Sequence, residues 1–142
     1  MKKNISIKST PSFYPNRKNK PFVLMTPPHK NACWNVALSL ASGKDYQEIR
    51  KKFKKNIHLD GGLAGLKSFH FLKSLDYKPE RRGNLKTINK IAEESKKNEY
   101  EYVAVTVGHM CYISNGIIYD THPSHFRRTL LYFKRKKLHP GV

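Results

Sequence analysis

Acidic residues are scarce in this sequence. Ten Asp and Glu residues stand against 28 Lys and Arg residues, so the formal net charge is +18, and the first 30 residues contain no acid at all. A surface with this imbalance carries a strong positive field, which attracts nucleic acid, anionic lipid and acidic proteins. The charge therefore indicates an anionic partner, for which we consider nucleic acid and an acidic protein.

Long apolar runs and cysteines are also few. No stretch approaches the roughly 18 apolar residues that a membrane-spanning helix needs, and the first residues lack the apolar segment of a signal peptide. The two cysteines are too few for a disulfide framework, which makes a reducing compartment the default. We therefore expect a soluble cytoplasmic protein without a membrane partner.

The domain organisation is simple, because the 142 residues contain neither internal repeats nor low-complexity tracts and suit a single core. Residues 1–30 carry five prolines and seven basic residues, which predicts an extended basic arm rather than a helix. We assign the folded domain to residues 31–133 and a basic tail to residues 134–142.

Helical periodicity is the main pattern before residue 100. Apolar residues recur at helical spacing after four candidate start positions, which are Asn31, Asp45, Leu63 and Asn84. From Tyr100 the residues are nearly all β-formers, and Asn115–Gly116 strongly indicates a tight hairpin turn. The first predicted strand spans residues 100–107 and continues through 109–114. Two further strands are predicted at 117–121 and 129–133. Helices come first and antiparallel strands last, which predicts an α+β fold.

One cysteine occupies a position that favours reactivity. Cys33 falls in the first turn of the helix that begins at Asn31, where the partial positive charge of the helix end favours thiolate over thiol. The thiolate is the nucleophilic form, so Cys33 is the candidate catalytic residue. A buried structural cysteine stays open as the alternative, because free cysteine is among the most often buried residue types.

The predicted hairpin supplies a base and a group to orient it. A two-residue turn at Asn115–Gly116 fixes the register, so that Cys111 lies opposite Asp120 and His109 opposite His122. His109 and Asp120 are then diagonal neighbours on one face, about 7 to 8 Å apart at the backbone, within reach of a hydrogen bond. A thiol nucleophile needs this pair, because imidazole takes its proton and carboxylate stabilises the imidazolium.

Two other interpretations of these side chains stay open. Cys111 and His122 share a face with His109 and could join Cys33 as zinc ligands, although the spacing matches no compact Cys/His motif. A disulfide between Cys33 and Cys111 would also fit if the two meet, but the expected compartment argues against it. We predict no metal site and no cofactor.

These residues resemble the papain-like cysteine peptidase fold and, within it, small phage-encoded papain-like proteins. The matching stretches are 31–34, 37–44 with Tyr46, 108–109 and 115–121. The resemblance covers about residues 31 to 122 and implies that Cys33 is the nucleophile, His109 the base and Asp120 the orienting group. It also implies an N-terminal helical lobe packed on a small C-terminal antiparallel sheet, in a protein of the host-cell cytoplasm.

The oxyanion donor departs from the family pattern. Papain-like enzymes usually place a glutamine several residues before the cysteine, and residues 26–30 contain none. The backbone N–H of Cys33 remains, and we expect Asn31 or His29 to supply the second donor. Loss of one donor costs about 10² to 10³ in rate, so a weak or inactive enzyme is the alternative.

Two functions follow from the sequence. The first is a cysteine-dependent hydrolase, a peptidase or isopeptidase, that acts on a protein or peptide through a thioester intermediate; acyl transfer would use the same intermediate. The second is a catalytically weak or inactive papain-like scaffold that binds nucleic acid or an acidic host protein. The basic residues assigned to that surface are Lys51, Lys52, Lys54, Lys55, Arg127, Arg128, Lys134, Arg135, Lys136 and Lys137.

Overall fold

The computed structural model describes residues 8–13, 21–28, 32–53, 62–81, 86–123 and 127–137. Its helices are α1 (Cys33–Ser42), α2 (Tyr46–Phe53), α3 (Gly62–Ser74) and α4 (Ile88–Ser95). Its strands are β1 (Lys8–Phe13), β2 (Pro21–Thr26), β3 (Lys78–Arg81), β4 (Tyr100–Thr106), β5 (His109–Ser114), β6 (Ile117–Asp120) and β7 (Leu131–Lys136). These elements confirm the predicted α+β class. No helix among the described residues has the length and apolar character needed to cross a membrane.

The strands form one sheet in the order β1-β2-β6-β5-β4-β7-β3. Neighbouring strands are antiparallel except β2 and β6, which are parallel. The expectation of a small antiparallel sheet made only of C-terminal strands is therefore wrong. The sheet also contains β1 and β2, which come from the segment predicted as an arm, and β3, which precedes α4 in the chain.

Apolar side chains explain why β2 joins the sheet. Phe22 and Met25 are only 4% and 6% exposed, so pairing β2 with β6 removes them from water. Full burial of such a side chain stabilises the folded state by about 1.5 to 3 kcal/mol. The basic and proline-rich composition predicted an arm, but these apolar residues decide where β2 lies. At the other end of the domain, β7 extends past the predicted boundary at residue 133.

The predicted hairpin turn is present. At Asn115 and Gly116 φ is 54° and 78°, the pair of positive values that defines a type I′ hairpin turn. Ser114 lies opposite Ile117, which is the predicted register. The Gly116 N–H also donates to the Ser95 hydroxyl at 2.8 Å, which ties the turn to the end of α4.

A second tight turn separates β4 from β5. Gly108 has a φ of 67°, in the region that residues with a side chain rarely adopt. The chain therefore reverses there, and Thr106 of β4 lies opposite His109 of β5. The prediction that 109–114 continue the strand before them is wrong, because the two segments are antiparallel neighbours.

Helices cover both faces of the sheet. On one face α1, α2 and α3 pack in a core that contains Leu38 and Val103. On the other face α4 packs in a second core that contains Ile91 and Ile113. Because helices cover both faces, residues 102–106 of β4 are all buried. This explains why the sequence of β4 is nearly continuously apolar. The helices thus do not lie on one side of the sheet alone.

Two predicted helix caps lie outside the described residues. These are Asn84, expected to begin α4, and Asn31, expected to begin α1. The described α4 begins one residue after Thr87, whose hydroxyl accepts the Lys90 N–H at 3.2 Å. At the start of α1, Ala32 occupies the cap position and its side chain makes no capping hydrogen bond.

A buried polar cluster holds several elements together at the start of β4. Glu101 is 6% exposed, and its carboxylate accepts hydrogen bonds from the hydroxyls of Tyr77 at 3.0 Å and Tyr112 at 2.6 Å. Arg135 of β7 donates to the same carboxylate and to backbone carbonyls at the C-terminal ends of α1 and α3, each at 3.0 Å. The guanidinium also lies 4.3 Å from the centre of the Tyr77 ring. This cluster fixes α1 against the sheet and so helps to position Cys33.

Candidate active site

Three chain segments meet at one end of the sheet. Cys33 is the first residue of α1, His109 the first of β5 and Asp120 the last of β6. Because β5 and β6 are antiparallel, the beginning of one lies beside the end of the other. The three residues are 8%, 1% and 1% exposed, respectively. The structure therefore brings together the three residues predicted to form the site, in a largely desolvated place.

The His109 ring is held by the Asp120 carboxylate. Nε2 of His109 lies 2.6 Å from Oδ1 of Asp120. The same oxygen accepts the backbone N–H of Thr121 at 2.7 Å and that of His122 at 3.5 Å. These N–H groups fix the carboxylate, which accepts a hydrogen bond from Nε2–H. Nδ1 is then the nitrogen that can take up a proton.

Cys33 interacts with the other ring nitrogen of His109, Nδ1. Nδ1 of His109 is buried and makes no hydrogen bond of regular geometry, whereas Nε2 is taken by Asp120. Burial disfavours the charged ring, but hydrogen bonding to Asp120 and Cys33 and the negative charges of both outweigh it and raise the pKa of His109 to about 9. We therefore assign the contact with Cys33 to Nδ1, the nitrogen that must receive the thiol proton.

The predicted register of β5 and β6 is confirmed next to the turn, where Ser114 lies opposite Ile117 and Ile113 opposite Ile118. The ladder between β5 and β6 stops at Tyr112 and Tyr119, so Cys111 and Asp120 are not paired in it. Asp120 is instead paired with Leu24 of β2. The hydrogen bond between the His109 and Asp120 side chains forms nonetheless, because both residues project from the same end of the sheet.

Cys111 is a buried thiol rather than a second reactive group. It is 1% exposed and packs in the core beneath α4. Burial, followed by the negative charges of Asp120 and Cys33, raises its pKa well above the ordinary value, so the thiol keeps its proton. Both cysteines are free, and the disulfide considered from the sequence is absent.

His122 lies beside the His109 ring, as its predicted position opposite His109 on the same face indicated. The two ring centres are 4.1 Å apart with an angle of 41° between the planes. Burial and the positive charge of His109 lower the pKa of His122, and Arg127 acts in the same direction. His109, Asp120 and His122 each offer a ligand atom, and these atoms lie within 4.8 Å of one another.

Thr106 was missed. Its hydroxyl is buried without a hydrogen-bond partner, on the residue directly opposite His109 in the ladder between β4 and β5. Gly108, two residues further along, was the signal that could have revealed the turn and hence this neighbour. The predicted oxyanion donors Asn31 and His29 lie outside the described residues.

Among the described residues, five of the basic residues predicted to hold an anionic partner are exposed, namely Lys51, Lys52, Arg127, Arg128 and Lys136. Arg127 is near enough to His122 for its charge to act on that ring. The ammonium group of Lys52 lies 5.5 Å from the centre of the Phe71 ring. Lys54 and Lys55 are outside the described residues.

The basic residues at the C-terminal end make contacts within the fold. Those contacts join Lys134 to Glu80 at 3.5 Å, Arg135 to Glu101 at 3.0 Å, Lys136 to Glu99 at 3.6 Å and Lys137 to Asn115. Arg135 uses its Nε and both terminal nitrogens in the buried cluster around Glu101. We therefore remove Arg135 from the predicted binding surface.

Comparison of the chain with protein-family models, with curated proteins and with solved structures gave no match. The chemistry of the site must therefore be inferred from its own distances, burial and charges.

Proposed function

We propose that this protein is a papain-like cysteine hydrolase that cleaves an amide or isopeptide bond in a protein or peptide substrate. The observation that carries the proposal is the buried 2.6 Å hydrogen bond between Asp120 and His109, with Cys33 acting on the same ring. A nucleophile, a base and a group that orients the base are the parts that thiol catalysis needs. Three segments distant in sequence supply them at one point.

In the first half of the reaction, Nδ1 of His109 takes the proton of the Cys33 thiol, and the thiolate attacks the substrate carbonyl carbon. The tetrahedral intermediate collapses when the C–N bond breaks and His109 returns the proton to the leaving amine. The acyl group is then bound to Cys33 as a thioester. Asp120 holds the ring in position and stabilises the imidazolium throughout.

In the second half, His109 takes a proton from water, and the resulting hydroxide equivalent attacks the thioester carbonyl. The C–S bond breaks, the carboxylic acid leaves and the Cys33 sulfur recovers the proton from His109. An amine in place of water would turn the same intermediate toward acyl transfer. Hydrolysis and transfer thus share the described residues and differ in the second nucleophile.

The start of α1 supports stabilisation of the oxyanion. Backbone N–H groups in the first turn of a helix have no partner within the helix and carry its partial positive charge. Ala32 adds no side-chain cap there, so we assign one donor to the backbone N–H of Cys33. The second donor, Asn31 or His29, stays a prediction.

The test is covalent labelling with a thiol-directed acyl electrophile at neutral pH, followed by intact-protein mass spectrometry. We expect one adduct on the wild type, none on Cys33→Ala and an unchanged adduct on Cys111→Ala, the matched control. His109→Ala should slow labelling at least about 100-fold, the range of general-base contributions. Equal labelling of Cys33→Ala and the wild type would overturn the proposal.

A second function, the binding of an anionic partner, is favoured by the net charge of +18. The exposed Lys51, Lys52, Arg127 and Arg128 are its described contact residues. This function is compatible with hydrolysis, because it would use exposed cations, whereas Cys33, His109 and Asp120 are buried. An inactive scaffold that only binds such a partner would fail the labelling test and still show salt-dependent binding.

A further inference from the structure

We infer that His109, Asp120 and His122 form a site for a divalent transition metal ion with the coordination preferences of zinc, and that its occupation blocks the Cys33 reaction. The metal site stands on the geometry of these three side chains alone. The block rests on the proposed hydrolase function.

The three side chains lie close enough to bind one ion after small movements. Their ligand atoms lie within 4.8 Å of one another. In tetrahedral geometry two zinc ligands with bonds of about 2.1 Å lie about 3.4 Å apart, so the longest separation must shorten by up to about 1.4 Å. The 2.6 Å between Nε2 of His109 and Oδ1 of Asp120 must open to the same distance. His109 and Asp120 are fixed and buried, whereas His122 is exposed. The ring of His122 is therefore the ligand that can move to close the site.

The donor set suits zinc. Imidazole nitrogen and carboxylate oxygen are two of its usual ligand types, and a site with three protein ligands keeps one position for water. Oδ1 of Asp120 already accepts backbone N–H bonds from Thr121 and His122, which orient the carboxylate as outer partners orient metal ligands.

Metal binding at one nitrogen of His109 would remove the proton acceptor at the other. In the metal-free site Nε2–H of His109 donates a hydrogen bond to Asp120 at 2.6 Å, and Nδ1 has the free lone pair. With an ion on Nε2, the neutral ring would carry its one proton on Nδ1, transferred there through solvent, and the Asp120 carboxylate would bind the ion instead of the ring. Nδ1 would then have no lone pair to take a proton from the Cys33 thiol or from water.

Zinc binding to the reduced full-length protein tests the site directly. Isothermal titration with zinc chloride should show one tight equivalent in the wild type, in Cys33→Ala and in His70→Ala, which removes an exposed histidine on α3 as a matched control. His122→Ala should bind at least about tenfold more weakly, since loss of even an outer partner of a zinc ligand costs that much. No tight binding, or binding kept in His122→Ala and lost in Cys33→Ala, would overturn the site.

The block is measured separately. The rate of Cys33 labelling by the acyl electrophile should fall at least about tenfold with one equivalent of zinc, recover with EDTA and respond more weakly in His122→Ala. Zinc binding without slower labelling would overturn the block and leave the site. Absence of labelling in metal-free protein would overturn the hydrolase and the block together, while the titration would still decide the site.

Discussion

Asp120 of β6 lies opposite Leu24 of β2 in a parallel pairing of the sheet. The carboxylate that orients His109 is thus fixed by a strand that comes from the N-terminal 30 residues. This strand supports Asp120 from the side opposite β5. The basic N-terminal segment therefore contributes to the geometry of the site, and not only to the charge of the surface.

Removal of this strand should uncouple Asp120 from His109. Truncation of residues 1–26 deletes β1 and β2, exposes the edge of β6 and leaves Asp120 without its neighbour. We expect the labelling rate of Cys33 to fall at least about tenfold, by analogy with the cost of small displacements in catalytic geometry. Circular dichroism of the truncated protein should still show its helices. Truncation of residues 1–20 removes β1 alone and serves as the control, with a smaller loss.

Replacement of Asp120 by Asn tests the orienting role without changing the size of the side chain. The amide presents an N–H₂ group or a weaker acceptor to Nε2, so the tautomer with a free Nδ1 lone pair is no longer favoured. We expect labelling of Cys33 to slow about 10² to 10⁴-fold. The melting temperature should change little. Equal losses of stability and labelling would make Asp120 structural.

The pH dependence of stability should report His109. Its pKa is raised from 6.5 to about 9 in the folded state, so folding favours the protonated ring. The resulting stabilisation is complete below pH 6.5 and is lost as pH rises through about 9, and it amounts to about 3 kcal/mol at most. Urea unfolding from pH 6 to 10 should show this fall in the wild type. His109→Gln should show a flatter profile; an identical profile would contradict the expectation.

The residues of the candidate active site could be predicted from the sequence because each prediction depends on local signals. The position of Cys33 followed from helical periodicity, and the pairing of His109 with Asp120 followed from the two-residue turn at Asn115–Gly116. A type I′ turn restricts the register so strongly that the residues beyond it are placed without knowledge of the rest of the fold. Local signals of this kind survive in any tertiary context.

The sheet was less accessible because its pairings are between distant segments. β2 was not predicted, because the prolines and basic residues of its segment indicated an extended arm. Its parallel pairing with β6 also joins residues about a hundred positions apart. β3 is a short edge strand that contains Pro79, which weakens any strand signal. The turn at Gly108 was missed, although a glycine between two β-rich segments marks a reversal as readily as it interrupts a strand. The buried position of Arg135 was not predicted, because its neighbours in the sequence are also basic and the whole run resembles an exposed tail.

The buried cluster around Glu101 should contribute strongly to stability. Glu101→Gln removes the charge that balances Arg135, whose guanidinium still donates to the carbonyls of Leu75 and Ala41. Breaking a buried pair on one side destabilises a protein by about 3 to 5 kcal/mol. Lys134→Gln, which ends a half-exposed ion pair with Glu80, is the control and should cost about 0 to 1 kcal/mol. Urea unfolding at pH 7 compares the two, and similar losses would contradict the assigned role of the cluster.

Binding to an anionic partner should depend on salt through the exposed cations. A protein that neutralises phosphates releases counterions, so the logarithm of its affinity falls linearly with the logarithm of salt concentration, by about 0.9 per phosphate contact. Truncation of the N-terminal segment would not isolate this effect, because β1 and β2 belong to the sheet. Substitution of exposed side chains leaves the fold unchanged and is the better test.

The variant Lys51→Gln, Lys52→Gln, Arg127→Gln, Arg128→Gln removes four exposed positive charges. If these residues contact phosphates, its salt slope on a random DNA duplex should be shallower than that of the wild type. The matched control replaces Lys134 and Lys136, whose ammonium groups already approach Glu80 and Glu99, and should keep most of the slope. Gel-shift titrations at several salt concentrations give all three slopes. If the wild type does not bind at about 50 mM salt, where phosphate contacts are strong, nucleic acid is excluded as the partner, and the charge serves an acidic protein or solubility.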